Sequence, residues 1–103
     1  MSGNLAVRNH ALYIATHTPT GEQYVGLTVV TGRAVQRSIR ERWRKHVSRA
    51  QHEALDWKLC TAIRTHGPDD FVVTLHSVVR GRKAAHAAER ALIAALKPEL
   101  NTR

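Results

Sequence analysis

The chain has 103 residues and a mass of 11.5 kDa, which allows one hydrophobic core and leaves no material for a second. We therefore expect one domain over residues 1–103, with its core between about residues 11 and 101. The formal net charge of +8 and a pI near 10.8 favour a polyanionic partner, because arginine binds phosphate oxygens in pairs. The alternative is a basic protein kept soluble by its charge.

Cysteine content and hydropathy limit the cellular setting. Cys60 is the single cysteine, so an internal disulfide and a cysteine-based zinc site are both excluded. A reduced, intracellular and cytoplasmic location is expected. No apolar run approaches the roughly 20 residues of a membrane span, and the N-terminus lacks a signal-peptide apolar region. We expect a soluble protein with no membrane partner.

Two strands are predicted first along the chain. Residues 11–17 and 23–29 alternate in polarity and are rich in Tyr, Ile, Val, Leu and Thr. Pro19 and Gly21 interrupt the stretch between them, which is typical of a turn. These features predict a β-hairpin.

Two helices are predicted next. Over residues 33–50, apolar side chains recur every fourth position and form one stripe on an otherwise basic helix: Val35, Ile39, Trp43 and Val47. A second helix is predicted over residues 53–66, because Gly67 and Pro68 are a common helix stop. Cys60 lies beside the apolar stripe of this helix, which favours a small core residue over a nucleophile.

The chain is predicted to end with a strand and a helix. Residues 71–79 are apolar on both alternating faces, which favours a central strand over an edge strand. Residues 83–96 are rich in alanine and predicted to be helical until Pro98. The order β-β-α-α-β-α predicts an α/β (α+β) fold with a small three-stranded antiparallel or mixed sheet flanked by helices.

Glu89 is the most informative acidic residue on physical grounds. It falls within the inward stripe of the last predicted helix, which consists of Ala85, Ala88, Leu92, Ile93 and Leu96. A desolvated carboxylate is costly unless it is paired or bound to a metal. Glu89 is therefore either paired with an arginine or a metal ligand.

Arginine, histidine and tyrosine side chains also form a recognisable pattern. Arg42 and His46 are four residues apart and share one helical ridge at the border of the core. Tyr13 and Tyr24 stand at the ends of two apolar runs, where a tyrosine ring often serves as core. The other histidines show no metal-ligand spacing and are expected to be surface or structural residues: His10, His17, His66, His76 and His86.

Several short motifs occur in a fixed order: Leu12-Tyr13-Ile14, Tyr24-Val25-Gly26, Arg42 with His46, Glu89, and a closing Lys97-Pro98-x-Leu100-Asn101. Over nearly the whole chain this pattern resembles the GIY-YIG nuclease family. The first motif reads Ala-Leu-Tyr where the family has Gly-Ile-Tyr. Residues 27–41 form a longer stretch than in many compact members, either as a DNA-contacting elaboration or as an early start to the helix. His52 has no counterpart in register.

The resemblance implies a role for each matched residue. Tyr13 would be the general base or would orient the attacking water, and Tyr24 would position water or phosphate. As a base, Tyr13 would need a phenol pKa lowered toward neutrality by Arg42 and a metal ion. Arg42 would stabilise charge on the phosphate, and His46 would protonate or position the leaving oxygen. Glu89 would bind one Mg²⁺, with Mn²⁺ as a possible substitute.

Two further positions match the family, and the remaining cations are candidates for DNA contact. Gly26 and Asn101 would support the site, with Asn101 satisfying backbone or tyrosine hydrogen bonds. The residues expected to bind nucleic acid are Arg33, Arg37, Arg40, Arg44, Lys45 and Arg49.

The resulting hypothesis is an endonuclease that hydrolyses DNA phosphodiester bonds with one divalent ion, cutting one strand per catalytic event. The DNA substrate would be double-stranded, single-stranded or branched. A double-strand break would require a homodimer, two successive visits or a partner subunit. One alternative is a basic nucleic-acid-binding module with the same fold and no cleavage. Another is a small basic structural protein of a larger assembly.

Overall fold

The computed structural model of the protein describes residues 7–53, 55 and 57–101, in which three antiparallel strands form one sheet. The strands are β1 (Asn9–His17), β2 (Gln23–Val29) and β3 (Phe71–Arg80). Their spatial order is β2-β1-β3, so β1 is hydrogen-bonded on both sides. The predicted hairpin is confirmed as β1 and β2.

Three helices accompany the sheet. They are α1 (Val35–His52), α2 (Lys58–His66) and α3 (Arg82–Leu96). Short 3-10 turns occur at Pro68–Asp70 and Glu99–Asn101. The order β-β-α-α-β-α and the three-stranded antiparallel sheet confirm the predicted fold class. No helix within the described ranges is long and apolar enough to cross a membrane.

The second helix is shorter than the sequence predicted. Its start was expected at residue 53, but α1 continues through His52 and the backbone becomes extended at Glu53. Helix α2 then begins at Lys58 and ends at His66, and the C-cap residue Gly67 has a φ of 82° that suits glycine. Positions 54 and 56 of the predicted helix lie outside the described residues.

The position of β3 corrects one prediction. This strand lies at the edge of the sheet, not at its centre, and Val72 and Val78 are 50% and 44% exposed. A register shift against Leu12 and Tyr13 also leaves His76 without a partner on β1, as in a β-bulge. An uninterrupted strand would place Val79 and Phe71 on the same face. The bulge reverses the side-chain alternation, so the two residues lie on opposite faces of β3.

Two groups of buried side chains form the core. One joins α1, α2 and the start of β3, and it includes Ile63, Phe71 and Leu100. The other joins α1 to the hairpin, and it includes Tyr13 and Ile39. Helix α1 contributes to both groups through its predicted apolar stripe. The sheet and α1 are therefore fixed relative to each other where the candidate site residues lie.

Candidate active site

Tyr13 lies in the middle of β1, fully buried and directly opposite Gly26 on β2. The tyrosine ring crosses the β2 backbone so closely that a Cβ on Gly26 would overlap the Cζ, Cε2 and hydroxyl of Tyr13. Gly26 is therefore needed for close approach and not for a positive φ. The pairing fixes the direction in which the Tyr13 hydroxyl points.

The Tyr13 hydroxyl lies 3.0 Å from Nε2 of His46, a buried residue on α1. Burial raises the pKa of the Tyr13 phenol well above its ordinary value, Tyr24 adds to the rise, and the Arg42 guanidinium opposes it only partly. Burial, with the Arg42 and Arg49 cations, lowers the pKa of His46 from 6.5 to about 4. Both groups are neutral near pH 7, so the pair shares one hydrogen, and the tyrosine O–H donates to Nε2 when His46 is in its Nδ1–H tautomer.

This electrostatic balance differs from the one that a tyrosine base would require. The sequence-based hypothesis asked for a phenol pKa lowered toward neutrality, with Arg42 contributing. The Arg42 charge does act in that direction, but desolvation outweighs it. In the protein alone, Tyr13 is thus a hydrogen-bonding group and not an ionised base.

Tyr24 lies beside this pair at the border of a cleft. Its half-buried ring packs edge-on against His46 at a centroid distance of 5.3 Å, and it lies 6.3 Å from the Tyr13 ring. Burial raises the pKa of the Tyr24 phenol. The positive charge of Arg42 opposes this rise. The cleft has a volume of about 280 Å³, and its lining includes Tyr24, Arg42, His46 and Arg49.

Arg42 projects from α1 into the same region. Its buried Nε has no hydrogen-bond partner within the described ranges, and no carboxylate there lies within 4.0 Å of its guanidinium. The cation nevertheless affects the pKa values of Tyr13, Tyr24 and His46. Arg42 is thus a positive charge close to both tyrosines, and no carboxylate of the described residues forms an ion pair with it.

Glu89 reaches the tyrosines from a different helix, α3. Its side chain is 24% exposed, and its Oε1 lies 3.7 Å from Nδ1 of His86. After burial, the Glu89 charge is among the causes that raise the pKa of Tyr13 and of Tyr24, so the carboxylate acts electrostatically on both phenols. The alternative of an arginine ion pair is not observed among the described residues.

The donor chemistry at Glu89 suits a hard divalent ion. The carboxylate is partly accessible, is not engaged by arginine or lysine in the described chain, and has phenol oxygens nearby. Mg²⁺ is commonly held by one or two carboxylates and keeps several waters, whereas zinc sites use nitrogen and sulfur donors. The residues present therefore fit Mg²⁺ or Mn²⁺.

Asn101 holds the outer edge of β2 next to Tyr24. Its Oδ1 accepts a hydrogen bond from the Val25 N–H at 2.7 Å, and its Nδ2 donates to the Val25 carbonyl at 2.8 Å. Glu99 accepts from the Gln23 N–H at 3.1 Å. The C-terminal 3-10 turn thus satisfies backbone groups that an edge strand would otherwise expose.

The predicted nucleic-acid-binding cations fall into separate groups. Lys45 lines a cavity of about 220 Å³, and Arg49 lines a cavity of about 280 Å³. Arg42 borders both cavities. Arg40 and Arg44 line a different groove on the other flank of α1, beside Trp43. Helix α1 carries Arg37 in an ion pair with Glu41, and Arg33 lies in the turn that precedes the helix.

One cation at the cleft was not predicted from the sequence. Arg8, just before β1, borders the 220 Å³ cavity together with Arg42 and Lys45. No spacing pattern links Arg8 to helix α1, because only the pairing of β1 with its neighbours brings the two together. The candidate cationic surface therefore consists of Arg8, Arg42, Lys45 and Arg49.

Comparison with known proteins identifies the fold. No protein-family model and no curated protein matches the chain. Among solved structures, a mutant of the catalytic domain of intron endonuclease I-TevI superposes with a TM-score of 0.70. The match covers 92% of this chain and 92% of that chain, with 16% identical residues. The chain therefore has the fold of a GIY-YIG nuclease domain, as its sequence motifs implied.

Proposed function

We propose that the protein is a divalent-metal-dependent endonuclease that hydrolyses DNA phosphodiester bonds. The observation that carries this proposal is that the charges of Arg42, from α1, and Glu89, from α3, act on the same pair of tyrosines, of which Tyr13 is hydrogen-bonded to buried His46. An unneutralised cation and a partly exposed carboxylate next to buried phenols suit a phosphate, a metal ion and a water. The fold shared with an endonuclease catalytic domain supports the same reaction class.

Arg42 is assigned to the scissile phosphate. The half-buried Arg42 has an unused donor at its buried Nε, so it is preorganised for anionic oxygen while its charge and a side-chain hydrogen bond act on Tyr13. Negative charge on the non-bridging oxygens increases in the transition state, so the contact strengthens as the reaction proceeds. Lys45, Arg49 and Arg8 flank this position and would hold the adjoining phosphates.

Tyr13 is assigned to the attacking water. In the tautomer of His46 that carries Nδ1–H, the Tyr13 proton is directed at His46 Nε2, and the phenol oxygen, which Arg42 also approaches, can accept a hydrogen bond from water. As the water attacks phosphorus, its proton passes to the Tyr13 oxygen while the Tyr13 proton passes to His46. Bound phosphate beside His46 favours this transfer, since nearby negative charge raises the pKa of an imidazole.

Tyr24 and Asn101 complete the support for this arrangement. Tyr24 borders the cleft and packs against the His46 ring, so it limits the ring's rotation and places a second hydroxyl near the phosphate. Asn101 fixes the adjacent Val25 backbone. These contacts hold the reacting groups before substrate arrives, which is the main structural requirement of this kind of catalysis.

Glu89 would hold the Mg²⁺ or Mn²⁺ ion, which when bound supplies Lewis-acid stabilisation for the departing 3′ oxygen. Cleavage in that direction leaves a 5′-phosphate. One Arg42–Glu89 pair serves one phosphodiester at a time, so each event cuts one strand. A double-strand break would then require a second copy of the chain, another subunit or a second visit.

The proposal is tested with supercoiled plasmid, single-stranded DNA and a branched DNA, each incubated with Mg²⁺ or with EDTA. We expect nicked plasmid before linear product, 5′-phosphate ends, and no cleavage in EDTA. DNA binding without cleavage of any substrate in Mg²⁺ or Mn²⁺ would support the inactive binding module instead. Absence of both binding and cleavage would support the structural-protein alternative.

A further inference from the structure

A second cluster of metal-ligating side chains lies where the hairpin turn meets the end of α2. One ligand atom from each of His17, Glu22 and His66 lies within 4.8 Å of the other two. His17 ends β1, Glu22 precedes β2, and His66 ends α2. The two imidazole rings stack with their centroids 4.2 Å apart. His17 and His66, which are 49 positions apart in the sequence, are thus brought together.

His17 supplies an independent sign that this cluster has a ligand. The residue is 2% exposed, and its buried Nε2 has no hydrogen-bond partner within the described ranges. Surface histidines stack in many proteins, but a buried ring nitrogen without a partner loses its hydration and gains nothing in return. A metal ion bound to that nitrogen would remove the penalty.

The hydrogen-bond partners of His17 suit a tautomer with a free lone pair on Nε2. Its Nδ1 lies 2.7 Å from the Thr20 hydroxyl, and that hydroxyl donates to Glu22 Oε1 at 3.4 Å. In the tautomer with Nδ1–H, His17 donates to the Thr20 hydroxyl, which keeps its own proton for Glu22. Nε2 then carries the lone pair. Metal-binding histidines are usually oriented in this way, through a hydrogen bond from the nitrogen that does not bind the metal.

From this geometry we propose that His17, Glu22 and His66 bind a transition-metal ion, with Zn²⁺ the best match, at a site separate from Glu89. Two imidazole nitrogens and one carboxylate oxygen are a donor set that zinc favours and that Mg²⁺ does not. A cavity of about 510 Å³ borders Glu22 and His66, so water can fill the fourth position. Glu22 is half-buried and His66 is exposed, so the His66 ring can turn out of its stack on His17 to bring its nitrogen to the ion.

The expected role of this ion is to tie the hairpin turn to the C-terminal end of α2. His17 lies four residues beyond Tyr13 on β1, which corresponds to roughly 13 Å along an extended strand. The ion would therefore act on stability and not on the phosphodiester. The inference does not depend on the proposed nuclease function.

The direct test is titration of the metal-free full chain with ZnCl₂ alone, followed by calorimetry and thermal denaturation. We expect one high-affinity site per chain and a melting temperature that rises with zinc concentration, because the ion binds the folded state. Mg²⁺ at the same concentration should produce no shift that depends on His66. Co²⁺ in place of Zn²⁺ should give the visible absorption bands of a four-coordinate site.

His66→Ala is the most useful variant because His66 is exposed and its loss leaves the core packed. We expect His66→Ala and the near-isosteric Glu22→Gln each to weaken zinc binding by at least about 10-fold, and Thr20→Val to weaken it by about 10- to 100-fold. His52→Ala removes another exposed histidine and should change nothing. Wild-type zinc affinity in both His66→Ala and Glu22→Gln, or no zinc-dependent rise in melting temperature, would overturn the proposal.

Discussion

The Tyr13 hydroxyl and His46 Nε2 are joined by a 3.0 Å hydrogen bond between the central strand and helix α1. The two residues are 33 positions apart in the chain, and both are buried. The bond satisfies two polar groups that would otherwise be costly in the core. The same contact that stabilises the fold also orients the phenol oxygen in the candidate site.

The first prediction concerns acid stability. Burial lowers the pKa of His46 to about 4 in the folded protein, against 6.5 in an exposed histidine. Between these values the unfolded chain binds a proton and the folded chain does not, so stability falls as pH decreases from about 6.5 to about 4. The loss attributable to His46 should reach at most about 3 kcal/mol. Urea denaturation at a series of pH values measures it.

The matched control for that experiment is His46→Gln. Glutamine can accept the Tyr13 hydrogen bond but does not titrate, so this part of the pH dependence should disappear while the acidic residues continue to contribute. If the unfolding free energies of the wild type and His46→Gln changed equally with pH between pH 4 and 6.5, His46 would have the same pKa in the folded and unfolded states.

The second prediction separates the two functions of Tyr13. Tyr13→Phe keeps the ring but leaves His46 Nε2 without its donor, so we expect a loss of about 1–3 kcal/mol in unfolding free energy. If Tyr13 orients the attacking water, cleavage should fall by at least about 100-fold at temperatures where the variant is fully folded. Single-turnover cleavage, with DNA affinity measured alongside, distinguishes lost chemistry from lost binding.

Tyr24→Phe provides the comparison. Its hydroxyl borders the cleft but does not bond to His46, so stability should change less than in Tyr13→Phe. Normal single-turnover cleavage by Tyr13→Phe would remove Tyr13 from the reaction and leave it as a core residue.

Local patterns in the sequence predicted the elements better than their arrangement. The stripe containing Ile39 and Trp43 specified α1 because helical periodicity is a local property. The edge position of β3 was not predicted, since apolar residues on both faces of a strand do not reveal which strand will be its neighbour. The bulge at His76 likewise depends on pairing with β1 and leaves no mark in residues 71–79 themselves.

The candidate site shows the same distinction. Tyr13, Arg42 and Glu89 were selected because motifs fix their order along the chain, and in the structure the charges of Arg42 and Glu89 both act on the Tyr13 phenol. Arg8 and the His17–Glu22–His66 cluster were missed, because tertiary packing creates them from segments with no common spacing. The rise in the Tyr13 pKa was also missed, since it results from the depth of burial.

The third prediction tests the close approach of Gly26 and Tyr13. Gly26→Ala places a methyl group where the Tyr13 ring lies, so either the ring or the β2 backbone must move. We expect a stability loss of about 1–3 kcal/mol and a large loss of cleavage as the hydroxyl is displaced. Chemical denaturation and single-turnover cleavage measure the two effects.

A double-mutant cycle supplies the control for Gly26. Tyr13→Leu shortens the opposing side chain, so adding Gly26→Ala to that background should cost less than it does in the wild type. A coupling energy of about 0.5–3 kcal/mol is expected. Additive losses would mean that Gly26 is required for some reason other than contact with Tyr13.

The fourth prediction compares arginines on opposite flanks of α1. Arg42→Ala should lower single-turnover cleavage by about 100- to 1000-fold with a smaller change in DNA affinity, because Arg42 would act mainly in the transition state. Arg40→Ala removes the same charge from the groove beside Trp43 and should leave the cleavage rate nearly unchanged. Weaker binding with normal turnover in Arg42→Ala would assign Arg42 to DNA docking.

The fifth prediction distinguishes a nuclease from a binding module with the same fold. Glu89→Gln keeps the size of the side chain and removes the negative charge, so metal-dependent cleavage should fall below detection while DNA binding is retained or slightly strengthened. Asp69→Asn, at an exposed position in the 3-10 turn before β3, removes an equal charge and should cleave at the wild-type rate. Cleavage assays over a Mg²⁺ and Mn²⁺ series, paired with binding assays in EDTA, measure both properties.

Because EDTA removes the ion from every variant, equal affinities there would show that Glu89 is not needed to hold DNA. Wild-type cleavage by Glu89→Gln at low Mg²⁺ would rule out this carboxylate as the metal ligand.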